Sequence, residues 1–323
     1  MYSYGQYWSE KIEAEANAFY SPVKNLNISL NAYFSTIPDV GDKTDAPYSN
    51  SPGLLNRAGG VVEGESVNTT AFYGQVDYSF LNHFKLVVGG RTERLNQFNL
   101  VLYRAMYDPR HTKFAGKFTD DSFKFVPRAA LIASINKNHV FKIMYGEALK
   151  MPAIWELRNN LVVNESLKPE RIRTVELNYI AQFGDIITAN VSVFKNYISD
   201  VVLRSITLTG TNYTSYFANG AEIQTTGAEF NVSARPFKGF RAEVSGAYQN
   251  SSYHSLGMEN VAVEFSPELL MYLKASYQIT NNMSFAITGN YVDAMESQWD
   301  NQPKTPPTDM TPKGRFYGQA VAS

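Results

Sequence analysis

Val175-Glu176-Leu177-Asn178-Tyr179-Ile180-Ala181-Gln182-Phe183-Gly184-Asp185 carries a two-faced strand and the turn that ends it. Val175, Leu177, Tyr179 and Ala181 fall on one side of an extended chain, and Glu176 and Asn178 on the other, because successive strand side chains point to opposite faces. Gln182-Phe183-Gly184-Asp185 then closes the run in a turn of very few residues, so the next segment returns antiparallel to the first.

The same unit recurs along the chain. Short turns lie at 21–26, 80–84, 135–139, 182–185, 236–239 and 279–283. Between them lie long polar connections at roughly 37–67, 103–121, 150–170, 205–224, 251–265 and 295–313. Short turns at one end and long loops at the other are the mark of a bacterial outer-membrane barrel. A soluble sandwich has no reason to sort its connections in this way.

The faces are consistent from strand to strand. Ile28, Leu30, Ala32 and Phe34 oppose Asn27, Ser29 and Asn31. Phe72, Val76 and Tyr78 oppose Gln75 and Asp77; Leu86 and Val88 oppose Lys85, Arg91 and Glu93. Phe141, Ile143 and Tyr145 oppose Lys142; Phe230 and Val232 oppose Glu229 and Asn231; Val244 and Tyr248 oppose Glu243 and Ser245. In water the apolar face packs on a second sheet; in a bilayer it meets lipid while the polar face lines a lumen. The bilayer is favoured by aromatics beside the short turns (Tyr20, Tyr78, Phe80, Phe84, Phe183, Phe237, Phe240, Tyr277) and by full charges in mid-strand. The expected fold is all-β, an antiparallel up-and-down transmembrane β-barrel in which this chain supplies about thirteen strands.

Composition narrows the function. The 323 residues carry a formal net charge of −1 and a pI near 6.5, so no nucleic-acid footprint is present. Cys is absent, which excludes disulfides and thiolate sites. Mean hydropathy is −0.27, and no apolar run approaches the roughly 18 residues of a membrane helix. Neither fact argues against a barrel, whose strands need only about 9–11 residues with alternate positions facing lipid. The first twenty residues have no basic and apolar regions of a signal peptide. The last strand, around Arg315–Ala322, has no partner after it. An open edge is not tolerated in hydrocarbon, so the sequence predicts a piece of a larger barrel.

Leu167-Lys168-Pro169-Glu170 followed by Glu176-Leu177-Asn178-Tyr179 resembles the "LKPE…ELGY" strand entry of TonB-dependent outer-membrane receptors. Tyr145-Gly146-Glu147-Ala148-Leu149-Lys150-Met151-Pro152 through Glu156-Leu157 resembles their "YGxAFRxPxxxEL" strand exit, with Leu149 and Lys150 departing from its aromatic and Arg. Ala71–Tyr78 with Gly89–Glu93, Phe125–Leu131 and Thr226–Phe230 resemble further family segments in the family's order. The resemblance implies a barrel of about 22 strands around a plug, with 1–323 a part of the barrel domain and the plug domain not present in this chain. It implies active import of a large scarce nutrient, most often a ferric siderophore, driven by the TonB complex acting through the plug. A glycan importer of the same family, aided by a surface lipoprotein, is the main rival; a passive substrate-selective porin and a soluble β-rich binding module are the others. It also implies an integral outer-membrane location, long loops outward, in contact with lipid and lipopolysaccharide.

Cargo contacts are expected from loop aromatics and cations: Tyr103, Arg104, Tyr107, Arg110, His111, Trp155, Arg158, Tyr213, Tyr216 and Trp299. Rings stack on planar ligands and Arg pairs with carboxylates. Lumen-facing Arg91, Glu93, Arg128, Glu176, Glu229 and Glu243 are expected to hold the plug. No enzyme, cofactor or metal site is expected. His83, His111, His139 and His254 have no ligand partner at metal-binding spacing, and no phosphate-cradling loop or HExxH run occurs. A lipase at the lipid boundary needs a His there, and none is expected on a lipid-facing strand position.

Overall fold

The structure, a computed structural model, describes residues 4–48, 51–61, 64–104, 112–209, 212–255, 260–295 and 313–322. The strands of the first half are β1 (Tyr4–Ser9), β2 (Ile12–Val23), β3 (Leu26–Ile37), β4 (Val40–Tyr48), β5 (Ser51–Val61), β6 (Val67–Phe80), β7 (Phe84–Leu95), β8 (Phe98–Arg104), β9 (Thr112–Phe118), β10 (Lys124–Asn136) and β11 (His139–Lys150). A short helix α1 (Ile154–Asn159) precedes β12 (Glu170–Phe183), β13 (Ile187–Thr209), β14 (Asn212–Ala234), β15 (Phe240–Tyr253), β16 (Leu269–Thr280), β17 (Met283–Val292) and β18 (Arg315–Ala322).

Thirteen strands form one antiparallel sheet in the order β2-β3-β6-β7-β10-β11-β12-β13-β14-β15-β16-β17-β18. Among the described residues it is open, with β2 and β18 at its edges. Its register explains the two faces. Leu131, Ile143, Leu177, Val193, Ala228 and Tyr248 pair in one continuous row across six strands. The adjacent row, Lys142, Asn178, Ser192, Glu229 and Ala247, runs on the opposite face. Exposure is inverted relative to a soluble protein: Ile143 is 57% and Val175 54% exposed, whereas Asn178 is 5% exposed. So long an apolar band, flanked by paired polar rows, has a lipid partner rather than an aqueous one.

At the short-turn end the aromatics stack. Tyr78 lies 5.8 Å from Phe80 and Phe80 5.6 Å from Phe84, and Phe237 contacts Phe240 at 5.0 Å and Tyr277 at 6.0 Å. Such rings suit the boundary between hydrocarbon and headgroup. One expectation is corrected here. The turn after β10 is tighter than the sequence suggested, so His139 opens β11 and stacks on Tyr179 of the apolar face, its Nδ1 2.8 Å from that hydroxyl. A His therefore does occupy a lipid-facing strand position. Its described partners are aromatic, Tyr179 and Phe183, not a Ser or a carboxylate.

At the other end, three of the six stretches that the sequence marked as loop carry strand. β4 and β5 fill 37–67, β9 lies within 103–121, and β13 and β14 extend through 205–224. Chain leaving the sheet still carries N–H and C=O groups that need partners; pairing each outgoing arm with its return satisfies them. A second sheet, β1-β4-β5-β8-β9, repeats the strand order of the large sheet above a line of breaks. Asn96 fixes two of these breaks together: it accepts from Asn68 N–H at 2.5 Å and donates to Ser66 O at 3.1 Å.

The buried core lies at this junction, not in the large sheet. Val61, Val67, Leu95, Phe98, Leu100, Phe118, Leu157 and Leu167 form it, with Ile154, Val202 and Phe217 packed against it. Glu156 caps α1 by accepting from Ala153 N–H at 2.8 Å. Asn160, 2% exposed, ties the helix to β14: its side chain donates to Phe217 O and accepts from Phe217 N–H, both at 2.7 Å. The Lys168-Pro169-Glu170 segment anchors in the same way. The Asn219 amide bonds Lys168 N–H (2.8 Å), Lys168 O (3.0 Å) and Asp200 O (2.6 Å), and Glu170 accepts from Val202 N–H at 2.8 Å. These bonds hold a break in β13 register between Ile198 and Val201, where Asp200 takes φ 56°.

Candidate functional site

Two regions gather polar and aromatic groups. The first is the polar face of the large sheet, where register places all six expected plug contacts. Glu93 pairs with Lys124 and Ala71, Arg128 with Gly89 and Gly146, and Glu229 with Ser192 and Ala247. Glu176 pairs with Met144, and Glu243 with Lys274. Arg91 and Glu93 form an ion pair at 2.7 Å. Arg128 donates to Gln75 at 2.5 Å and lies 4.5 Å from the Tyr73 ring centre. Ser192 donates to Glu176 at 2.8 Å, and Asn231 to Glu243 at 3.3 Å. Glu229 has no polar partner among the described residues and borders a cleft with Asn190, Ser192, Tyr272 and Asn290. This face is thus largely self-satisfied, with acceptor capacity left over at its carboxylates.

The second region is a cavity of about 700 Å³ at the long-loop end, lined by Tyr7, Trp8, Ile37, Val40, Asp42, Ile154, Trp155 and Arg158. α1 supplies Trp155 and Arg158 from successive turns of one short helix. Trp155 is half exposed and packs edge-on against Phe217 at 4.8 Å. Arg158 is buried, and its guanidinium pairs with Asp42 of β4. Its Nε meets no hydrogen-bond partner among the described residues. Burial pushes the Arg158 guanidinium below its ordinary value, though an arginine stays charged at any physiological pH. Trp8 lies over Gly41, where any Cβ would sit 2.4 Å from the indole. The arrangement offers a flat aromatic wall beside an arginine whose charge is already met by Asp42, which suits a planar organic group that stacks on the ring.

Of the ten residues expected to touch cargo, the structure brings Trp155 and Arg158 to this cavity. Tyr103 is the last but one residue of β8, with Lys113 5.7 Å from its ring centre, and Tyr216 adjoins Phe217 on β14. The strand positions of Arg104 and Tyr213 are described, on β8 and β14. Tyr107, Arg110, His111 and Trp299 lie outside the described residues. Sequence reasoning missed Tyr7, Trp8, Asp42 and Asn160. Trp8 stood in an aromatic run that could have flagged it; Asp42 had no local signal. Among the described residues no group of three or more His, Cys, Asp and Glu side chains is placed to hold a metal ion.

The fold is shared with solved structures. The ferric yersiniabactin uptake receptor FyuA from Yersinia pestis superposes with a TM-score of 0.75 at 12% identity, over 99% of this chain and 47% of that one. The copper transporter OprC gives 0.73 at 13%, over 99% and 49%. The ferripyoverdine receptor of the outer membrane of Pseudomonas aeruginosa gives 0.68 at 11%, over 99% and 43%. The chain therefore spans about half the length of the structures it matches. No curated protein sequence matches it. Its sequence matches the profile "TonB dependent receptor-like, beta-barrel" over residues 2–313, and the chain belongs to that family of transport receptors.

Proposed function

We propose that this chain is part of the barrel domain of an outer-membrane receptor that actively imports an iron chelate, with a plug inside the barrel and the TonB complex as its energy source. The observation that carries the reading is the pairing of an outward apolar belt and a charged inner face with a cavity at the long-loop end that sets Trp155 beside buried Arg158. The belt anchors the sheet in lipid. The carboxylates and arginines of the inner face, Arg91, Glu93, Arg128, Glu176, Glu229 and Glu243, hold the plug. The aromatic wall, held in place by the Arg158–Asp42 pair, stacks on a planar ligand. The outer membrane has no nucleotide supply, so uptake against a gradient needs a mechanical partner, which captures an exposed plug segment as an added strand. Structural neighbours named for ferric yersiniabactin, ferripyoverdine and copper support a metal chelate as cargo.

The test is uptake of radiolabelled iron, offered as several chelates, by cells with and without the natural gene. Loss of uptake of at least one chelate on deletion, and on collapse of the proton-motive force, is the expected result. Uptake indifferent to the proton-motive force points instead to a porin. A defect confined to oligosaccharides points to a glycan importer, one that works with a surface lipoprotein.

A further inference from the structure

Trp155, the aromatic wall of the cavity, is not held by its own helix alone. Its ring meets the Phe217 ring edge-on, with 4.8 Å between centres and 84° between planes. Phe217 lies on β14, in a length of that strand that outruns its neighbour: the pairing of β14 with β15 stops at Ile223 and Tyr253. Beyond that point β14 is paired with β13 alone, and main-chain groups that do not face β13 need other partners. Glu222 finds them nearby: its N–H donates to Ser255 Oγ at 2.6 Å, and its carbonyl accepts from His254 N–H at 2.8 Å. Phe217 finds both of its partners in one side chain, that of Asn160.

Asn160 is built for that place. It is almost fully buried, and it caps the C-terminal end of α1, so the helix fixes where its side chain starts. Its Nδ2 donates to Phe217 O while its Oδ1 accepts from Phe217 N–H, both at 2.7 Å, and Nδ2 also reaches Glu165 O at 3.4 Å. A carboxamide donates and accepts from one planar end, so Asn160 stands in for one residue of a neighbouring strand. A carboxylate of the same size would set an oxygen against Phe217 O. The next residue back works on the same wall: Asn159 Nδ2 donates to Trp155 O at 2.7 Å. The main chain of Trp155 is thus held from within the helix, and its ring from β14.

We infer that Asn160 is a positioning residue for the cavity: it acts through Phe217 to keep the Trp155 ring in the attitude that stacks on cargo. Without the carboxamide, the N–H and C=O of Phe217 lose their partners, and the strand that carries the supporting ring is released from the helix that carries Trp155. Asn160 itself lies beneath the wall and touches no cargo. The inference rests on the reading of Trp155 as a cargo contact and names the residue that sets that contact.

The experiment uses the natural protein that contains this chain, in vesicles, with fluorotryptophan in place of tryptophan. The fluorine resonance that disappears in Trp155→Phe belongs to Trp155. Asn160→Ala is expected to shift or broaden that resonance and to leave the others in place. Phe217→Leu, which keeps the main-chain bonds to Asn160, is expected to do the same. Uptake of radiolabelled iron by cells, as its dihydroxybenzoate, acetohydroxamate and citrate complexes, is the second readout. Asn160→Ala is expected to raise KM about fivefold for a complex that wild type takes up, the scale of a lost buried hydrogen-bond pair, with the maximal rate kept. Asn160→Ala with Trp155→Ala is expected to match Trp155→Ala alone, because the first residue acts through the second. An unmoved Trp155 resonance overturns the positioning role. So do a shift of every resonance, which is general loosening, and losses in KM that add in the double variant. The reading beneath it fails differently: wild type that takes up none of the three complexes overturns the chelate reading, and a KM indifferent to Trp155→Ala overturns Trp155 as a cargo contact even where its resonance moves in Asn160→Ala.

Discussion

Arg158 of α1 and Asp42 of β4 form a mostly buried ion pair that fastens the helix to the second sheet. Their elements come from different excursions of the chain, so the pair joins two loops that share no strand. Removing one partner strands a charge in a poorly solvated site, which typically costs about 3–5 kcal/mol. Arg158→Ala and Asp42→Ala are each expected to loosen the junction, read as faster hydrogen exchange in β4 and β8. Arg158→Met with Asp42→Leu removes both charges and is expected to recover much of the protection. Additive losses in the double variant refute a coupled pair.

The apolar belt gives a second expectation. Ile143 points outward in mid-strand, and Ala130, on the neighbouring strand, lies on the polar face. Ile143→Arg is expected to destabilise the bilayer-inserted protein by about 2–4 kcal/mol if it lies near the midplane. Ala130→Arg is expected to cost much less, because that face is already polar. Denaturant titrations of protein folded into vesicles measure both. Equal costs contradict lipid on one face only.

Asn219 makes the third case. It satisfies Lys168 N–H, Lys168 O and Asp200 O at once, at the register break of β13. Asn219→Ala leaves all three main-chain groups to find other partners, at about 1–3 kcal/mol for each that stays unsatisfied. Exchange is expected to rise at Lys168 and 198–202 while the β15–β16 pairing is unchanged. A uniform rise across the sheet would mean that Asn219 supports the whole fold rather than this one latch.

These cases separate what the sequence makes legible from what it hides. The large sheet is legible because its signal is local: Val175, Leu177 and Tyr179 alternate with Glu176 and Asn178 within a few residues, and register propagates that pattern from strand to strand. The second sheet is hidden chiefly because β4 and β5, rich in charge, Gly and Pro, show no clean alternation, so their composition reads as loop. His139 was misplaced for a similar reason, since one residue more or less in a turn moves it into the strand. Trp155 and Arg158 stood out as loop aromatics and cations. Asp42 did not, because the burial that gives it meaning comes from residues far along the chain.

Trp155 gives the test closest to function. Its ring is half exposed toward the cavity and half packed on Phe217. Aromatic anchors of this kind carry a large share of binding energy where a partner buries them. Trp155→Ala is expected to raise the KM for chelate uptake by about tenfold, the scale of a moderate aromatic contact, and to leave the maximal rate near wild type. The helix itself stays anchored, because Asn160 and Arg158 still hold it to β14 and β4. Arg158→Ala loosens that anchor and is therefore expected to alter both KM and maximal rate. The split between the two variants separates a contact made by Trp155 from a mere disturbance of the junction: if Trp155→Ala lowers the maximal rate as much as Arg158→Ala does, Trp155 is a packing residue and the cavity is not where cargo first binds.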